Sequence, residues 1–124
     1  MEDIFGEPIS VYTRAQALED GTLIDVSPLA KECGFTYPVA VTDGVWSEWI
    51  VPPEEATDQD ETGRLWDLLN VLRYEIKKSK GGDRVDFKVL FNQGSKRVYG
   101  EFYSLVGPGD DREPVITILL QGED

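Results

Sequence analysis

Carboxylates are by far the most abundant groups in this chain that could do chemistry. The 124 residues hold 24 Asp and Glu against 12 Lys and Arg, with no histidine and one cysteine, Cys33. The lack of histidine removes Ser-His-Asp and Cys-His nucleophile systems and histidine-based metal sites. Two carboxylates suffice for glycoside hydrolysis, but 24 candidates single out no pair. The sequence therefore identifies no catalytic residue, metal ligand or cofactor site.

One motif imitates a metal site. Residues 58–63, DQDETG, place oxygen-bearing side chains at alternate positions with glycine sixth, as a calcium-binding loop does. The twelfth position is Leu69 rather than the required Glu. A helix begins within the same residues, so helix capping explains the motif better. Cys33 has no histidine partner and lies near a predicted helix end, which predicts a buried structural thiol.

The negative charge lies in one half of the chain. The formal net charge is -12. Residues 1–62 hold 14 acids but only Arg14 and Lys31, whereas residues 63–124 hold ten acids and ten bases. A field of this sign repels nucleic acid and membrane surfaces and attracts basic partners. The simpler alternative is that the surplus negative charge only keeps the protein soluble.

The element best placed to organise these residues is a long amphipathic helix predicted over residues 58–80. Leu65, Leu69, Leu72 and Ile76 recur at helical spacing and form one apolar stripe, which neighbouring Trp66, Leu68 and Val71 widen. Asp58 with Glu61 fits an N-terminal cap. Lysines and the Gly81-Gly82 pair mark the other end.

Short elements fill the first half of the chain. Thr13 and Gln16 form a capping box for a short helix that Gly21 closes. Residues 22–26 favour a strand, residues 28–33 a helix capped by Ser27, residues 35–41 an extended segment, and residues 43–50 a third helix.

In the last third of the chain, the spacing of apolar residues changes from a helical to a strand pattern. Residues 85–91 alternate in polarity, residues 98–105 are rich in aromatics, and residues 115–120 are almost all apolar, which predicts three strands. The predicted fold class is α+β: a three-stranded antiparallel sheet packed on one long helix, with short N-terminal helices. We expect a single domain over residues 1–124.

A stretch over residues 4–50 resembles a family of small uncharacterised proteins from plasmids, phages and other bacterial mobile elements, catalogued as a domain of unknown function. Its characteristic pieces here are residues 4–6 (IFG), 12–17 (YTRAQA), 20–21 (DG), 23–27 (LIDVS) and 38–42 (PVAVT). The resemblance implies a mobile-element setting. It supplies no catalytic residues.

The leading hypothesis is a non-enzymatic binding protein whose acidic surface engages a basic protein surface, such as the nucleic-acid groove of a host defence or DNA-processing protein. Carboxylates on a rigid surface can occupy sites meant for phosphates. We expect no direct binding to nucleic acid or membrane. The candidate partner-binding acids are Glu19, Asp20, Asp25, Glu32, Asp43, Glu48, Glu54, Glu55, Asp58, Asp60 and Glu61. Trp46 and Trp49 are candidate anchors if exposed.

Two other functions stay open. An enzyme would need a concave pocket holding a carboxyl group of raised pKa beside Tyr12, Arg14 or a tryptophan. A structural or oligomeric module would use residues 98–105 or 115–120 as a pairing edge. No apolar run reaches the roughly 20 residues of a membrane span, and the acidic N-terminus lacks a signal region. These features, with a single cysteine, favour a cytoplasmic protein.

Overall fold

The computed structural model describes residues 12–123, and these residues form a five-stranded mixed sheet in the order β1-β2-β5-β4-β3. The strands are β1 (Leu23–Asp25), β2 (Val39–Thr42), β3 (Arg84–Asn92), β4 (Arg97–Pro108) and β5 (Pro114–Leu120). β2 and β5 pair in parallel, and the other neighbours pair antiparallel. The fold class is therefore α+β with a mixed sheet.

The predicted three-stranded antiparallel sheet is wrong, because two segments of the first half join the sheet. β2 pairs with β5 through Val39 and Ile116, and β1 then pairs with β2. The sequence indicated a strand and an extended segment here. Local pattern does not show which distant segments pair, however, and parallel pairing leaves no turn signal.

The same order corrects the predicted pairing edges. Residues 98–105 lie in β4 and residues 115–120 in β5, and each of these strands has a neighbour on both sides. Residues 102–105 of β4 and residues 116–118 of β5 are paired on both sides, whereas residues 98–101 of β4 pair with β3 alone. The free edges of the described sheet are β1 and β3.

The helices are α1 (Arg14–Asp20), α2 (Ser27–Cys33), α3 (Asp43–Val45) and α4 (Glu61–Lys78). The segment predicted as one helix over residues 43–50 is instead α3 followed by a π-helical turn, Trp46–Ile50. Within residues 12–123, no helix combines the length and apolar character needed to cross a bilayer.

The main core lies between α4 and one face of the sheet. Leu65, Leu69 and Leu72 of the predicted stripe are buried there, as is Leu68. Two neighbours depart from the prediction: Trp66 is 41% exposed, whereas Arg64 is 2% exposed. The stripe was right in phase, but the spacing of apolar residues carries no information on a buried arginine.

The N-terminal cap of α4 is Asp60, whose carboxylate accepts from the amide of Gly63 at 2.7 Å, and not Asp58. At α1, the predicted capping box of Thr13 and Gln16 and the closing Gly21 are confirmed. The resembling piece at residues 4–6 lies outside the described residues.

α1 covers the opposite face of the sheet. Thr117 points away from the main core, because it alternates with the core residues Ile116 and Ile118. The guanidinium of Arg14 donates to the Thr117 hydroxyl at 2.7 Å and to the Ile116 carbonyl at 3.0 Å. α1 therefore lies across this face, and the β3–β4 part of it stays open to solvent.

Candidate functional site

Parallel pairing gathers several chain reversals at one end of the sheet. β2 and β5 both finish at this end, and β1 starts there because Leu23 pairs with Thr42. The β3–β4 hairpin points the same way: Phe102 pairs with Leu120, so residues 97–101 continue past the end of β5. Segments that enter or leave the sheet here therefore lie side by side.

Three contacts place the acidic segments at this end. The amide of Asp43 donates to the Thr22 carbonyl at 2.9 Å, which joins the end of α1 to the start of α3. The backbone of Gly94, in the hairpin turn, lies against the Cβ of Glu55. The start of α4 reaches the hairpin through Arg64, which binds the Asn92 carbonyl.

Nine of the eleven predicted acids thus stand at this end of the sheet, and all nine are exposed. We call this set the acidic end: Glu19, Asp20, Asp43, Glu48, Glu54, Glu55, Asp58, Asp60 and Glu61. Asp25 and Glu32 do not belong to it. Asp25 pairs with Ala40 at the opposite end of β1 and β2, and Glu32 lies in α2, which follows β1.

Within residues 12–123, the carboxylates of the acidic end form no ion pair with the bases of the second half. Among the described residues, the side-chain ion pairs are Glu75–Lys78 and Arg84–Asp86, and neither involves the acidic end. Lys77 and Lys78 close α4, whose 18 residues place them about 27 Å from its start at 1.5 Å per residue. The lysines of α4 are therefore far from the acidic end, whereas Lys96 and Arg97 of the hairpin stand at that end without an ion pair to its carboxylates in the described part of the chain.

A hollow of about 880 Å³ opens between α1 and the acidic end, lined by Tyr12, Arg14, Asp20, Asp43 and Glu123 among others. Its polar groups are mostly satisfied within the protein. The Tyr12 hydroxyl donates to Asp20 at 2.5 Å, which lowers the pKa of Asp20 and raises that of Tyr12. Glu123 accepts from the Thr42 hydroxyl at 2.8 Å. The shift at Asp20 is therefore opposite to the raised carboxyl pKa that the enzyme hypothesis requires.

A second hollow, of about 830 Å³, lies between the start of α4 and the end of β3. Asp58, Asp60 and Trp66 line it together with Asp67. Asp67 is exposed, but partial desolvation raises the pKa of its carboxyl group, and nearby Arg64 counteracts part of that effect. Sequence reasoning missed both Asp67 and Arg64, since a charged residue beside an apolar stripe looks like ordinary solvent-facing surface.

Arg64, which also lines this hollow, is a buried charged residue. Its Nε donates to the Trp49 carbonyl at 2.7 Å, and its Nη atoms donate to Gln59 at 2.6 Å, Asn92 at 2.9 Å and Gln93 at 2.8 Å. All four acceptors are neutral. The guanidinium also lies 4.6 Å from the centre of the Phe91 ring. Arg64 therefore connects the π-helical turn, the hairpin and the loop of residues 51–60, which we call the acidic loop.

The tryptophans predicted as anchors lie largely against the core. Trp49 packs its ring 5.4 Å from that of Phe91 and 5.9 Å from that of Phe102, and both Trp46 and Trp49 are half-buried. Their role as anchors stays a prediction. The exposed tryptophan is Trp66.

One further prediction concerns the cysteine. Cys33 is buried as predicted, and burial raises the pKa of its thiol. Across residues 12–123, no group of three or more Cys, Asp or Glu side chains is arranged to hold a metal ion.

The chain belongs to a family of unknown function (DUF6573), whose model matches residues 1–124. No curated protein and no solved structure matches the chain.

Proposed function

We propose that this member of the family is a small non-enzymatic binding protein that presents its acidic end to a basic surface of another protein. One observation carries the proposal: nine exposed carboxylates stand at one end of the described sheet, without an ion pair to any described base. Such an arrangement keeps the local field strong, because partners at short range would otherwise cancel it.

The partner we propose is a nucleic-acid-binding protein. Lys and Arg side chains that bind phosphates also bind carboxylates, often through two parallel hydrogen bonds. A rigid array of carboxylates can therefore occupy a groove built for DNA or RNA. The net charge of -12 disfavours binding to nucleic acid itself, because phosphates would be repelled.

The resemblance to proteins of mobile elements suggests which basic surface is meant. We propose that the chain is encoded on a phage, a plasmid or a similar element, acts in the bacterial cytoplasm, and blocks a host defence or DNA-processing protein by imitating nucleic-acid charge. The bland alternative, charge for solubility alone, predicts no specific partner.

The test compares two triple variants of equal net charge. Glu48→Gln/Glu54→Gln/Glu55→Gln neutralises the acidic end, and Glu32→Gln/Asp83→Asn/Asp111→Asn neutralises exposed acids elsewhere. Proteins captured by the wild type from a bacterial lysate are identified by mass spectrometry, eluted with increasing salt, and challenged with duplex DNA. We expect capture to fail for the first variant only, and both salt and DNA to release the partner.

The proposal is wrong if both variants retain the captured protein equally, or if binding does not weaken between low and high salt. It is also wrong if duplex DNA and the chain bind the partner at the same time, because charge mimicry requires one shared groove.

A second candidate function rests on Asp67. Its raised pKa, beside Trp66 in the second hollow, matches what a carboxylate-based enzyme acting on a nucleotide-like substrate would require. If this is the function, a nucleotide that binds the wild type is turned over, and Asp67→Asn abolishes turnover while retaining binding. Binding without turnover by the wild type would reject the enzyme.

A further inference from the structure

β3 is a long strand at the edge of the sheet. It runs for nine residues, Arg84–Asn92, and pairs with β4 along one side only. The other edge, β1, has three residues. An edge strand presents unpaired backbone N–H and C=O groups to any chain that can pair with it. β3 is therefore the main open edge of the described sheet.

The register shows which backbone groups face outward. The Val106 amide donates to the Asp83 carbonyl at 2.8 Å, and the Gln93 amide donates to the Lys96 carbonyl at 2.8 Å. In an antiparallel pair, hydrogen-bonded and non-hydrogen-bonded positions alternate, so the odd-numbered residues of β3 bond to β4. The N–H and C=O groups of Arg84, Asp86, Lys88, Leu90 and Asn92 therefore point away from the sheet.

One of these outward-facing carbonyls already accepts hydrogen bonds within the protein. The Asn92 carbonyl accepts from Arg64 at 2.9 Å and from Gln59 at 3.2 Å. This contact confirms the assignment of the even-numbered residues and closes the edge at its far end. Within the described part of the chain, the backbone groups of Asp86, Lys88 and Leu90 have no such partner.

α4 forms a wall beside this edge. The helix packs on β3 and runs antiparallel to it, since Arg64 meets Asn92 while Glu75 lies with Asp86 and Phe87 around a smaller hollow. A groove thus follows the strand, with Trp66 and Leu90 partly exposed at its Asn92 end. A helix beside an open strand is the setting in which extended peptides add to a sheet.

The charges in the groove select a basic occupant. The two hollows along it are lined by six carboxylates, Asp58, Asp60, Asp67, Glu75, Asp86 and Glu101, against three cations, Arg64, Lys88 and Arg97. Glu75 and Asp86 are paired with Lys78 and Arg84. Glu101 lies directly opposite Lys88 on the neighbouring strand. The excess of acid is therefore near Trp66, where Asp58, Asp60 and Asp67 stand against Arg64 and Arg97. A basic side chain there would also gain a cation–π contact with Trp66.

A second copy of the chain does not fit the same edge. Pairing β3 with itself would place the two strands about 5 Å apart, and each carries α4 on the same face. Packed helices need about 8–10 Å between their axes. A single extended segment brings no helix with it.

We infer that the groove between β3 and α4 binds an extended, basic segment of a partner protein as a sixth strand, hydrogen-bonded to Asp86, Lys88 and Leu90. This inference rests on the proposed function in taking the partner to be basic. It adds a second contact region and a binding mode that depends on the backbone.

The probe is a nine-residue peptide of alternating Lys and Val with blocked ends, and the control peptide carries Pro in place of each Val. The variants are Lys88→Pro and Lys88→Ala. Proline removes the outward N–H without breaking a bond to β4, whereas alanine removes the charge and keeps the N–H. Amide hydrogen exchange of the wild-type chain is followed with and without peptide.

We expect the Lys-Val peptide to slow exchange at Asp86, Lys88 and Leu90 by about tenfold or more and the proline peptide to leave it unchanged. We expect Lys88→Pro to bind about tenfold more weakly than Lys88→Ala, since one hydrogen bond and the strand geometry are lost. The inference fails if no binding occurs, if these amides show no slowing, or if a folded Lys88→Pro binds as well as Lys88→Ala. If Lys88→Pro does not fold, the exchange data decide.

The two proposals fail in different ways. Binding that weakens in Glu48→Gln/Glu54→Gln/Glu55→Gln and in salt, without protection of β3, overturns the added strand and supports the acidic end. Protection of β3 that is insensitive to both changes supports the added strand and counts against the acidic end.

Discussion

Arg64 donates a hydrogen bond to the backbone carbonyl of Asn92 at 2.9 Å and thereby holds the start of α4 against the end of β3. Without Arg64, the Asn92 carbonyl would keep only the longer hydrogen bond from the side-chain amide of Gln59, at 3.2 Å. Because the guanidinium is 2% exposed and its acceptors are neutral, the contact depends on hydrogen-bond geometry rather than on an ion pair.

Replacing Arg64 by Met should lower the free energy of unfolding by about 2–4 kcal/mol, because the Trp49 and Asn92 carbonyls lose a donor. Urea denaturation followed by tryptophan fluorescence measures the change. Arg97→Met is the matched control, since Arg97 lines the same hollow but is exposed; we expect a change within about 0.5 kcal/mol. Equal effects of the two variants would contradict the structural role of Arg64.

Asp110 anchors the start of α1 from the far end of the sheet. Its two carboxylate oxygens accept from the amides of Arg14 and Ala15, each at 2.9 Å. Asp110→Ala should therefore cost about 1–2 kcal/mol of stability, as the loss of a helix cap does. Thermal unfolding measures the loss, and Asp111→Ala, at an exposed neighbour, should leave stability nearly unchanged. An unaltered Asp110→Ala would mean that the Thr13 box suffices alone.

The Tyr12–Asp20 hydrogen bond predicts how the stability of the fold changes with pH. The bond lowers the pKa of Asp20 in the folded state, so its contribution to stability is present above the ordinary carboxyl pKa of about 3.9 and is lost as pH falls through the lower folded value. Carboxyl NMR titration should find the Asp20 pKa raised in Tyr12→Phe. Tyr37→Phe, at an exposed tyrosine elsewhere, should leave it unchanged.

Gly94 joins the hairpin turn to the acidic loop. Its φ of +91° is strained for other residues, and an added Cβ would lie 2.6 Å from the Cβ of Glu55. Gly94→Ala should destabilise the protein by about 1–3 kcal/mol and shift the backbone NMR signals of residues 54–56. Gly107→Ala is the control, because an added Cβ meets no atom within 4 Å there. Unmoved signals at residues 54–56 would contradict the contact.

The sequence by itself determined the elements that depend on neighbours in the chain. The stripe through Leu65, Leu69 and Leu72, the Thr13 capping box and the alternation around Phe87 are short-range patterns, and each is present in the structure. These features follow from periodicity and capping, which a few consecutive residues encode. The surplus of acids in the first half was equally plain.

Tertiary structure decided what those elements assemble into. The pairing of Val39 with Ile116 moves β5 into the middle of the sheet, leaves β3 as the long open edge, and brings the acidic segments to one end. Tertiary structure also buries Arg64, whose hydrogen-bond acceptors come from three separate segments of the chain. No local pattern specifies such contacts, because they form between residues far apart in the chain and depend on the packing of the whole sheet.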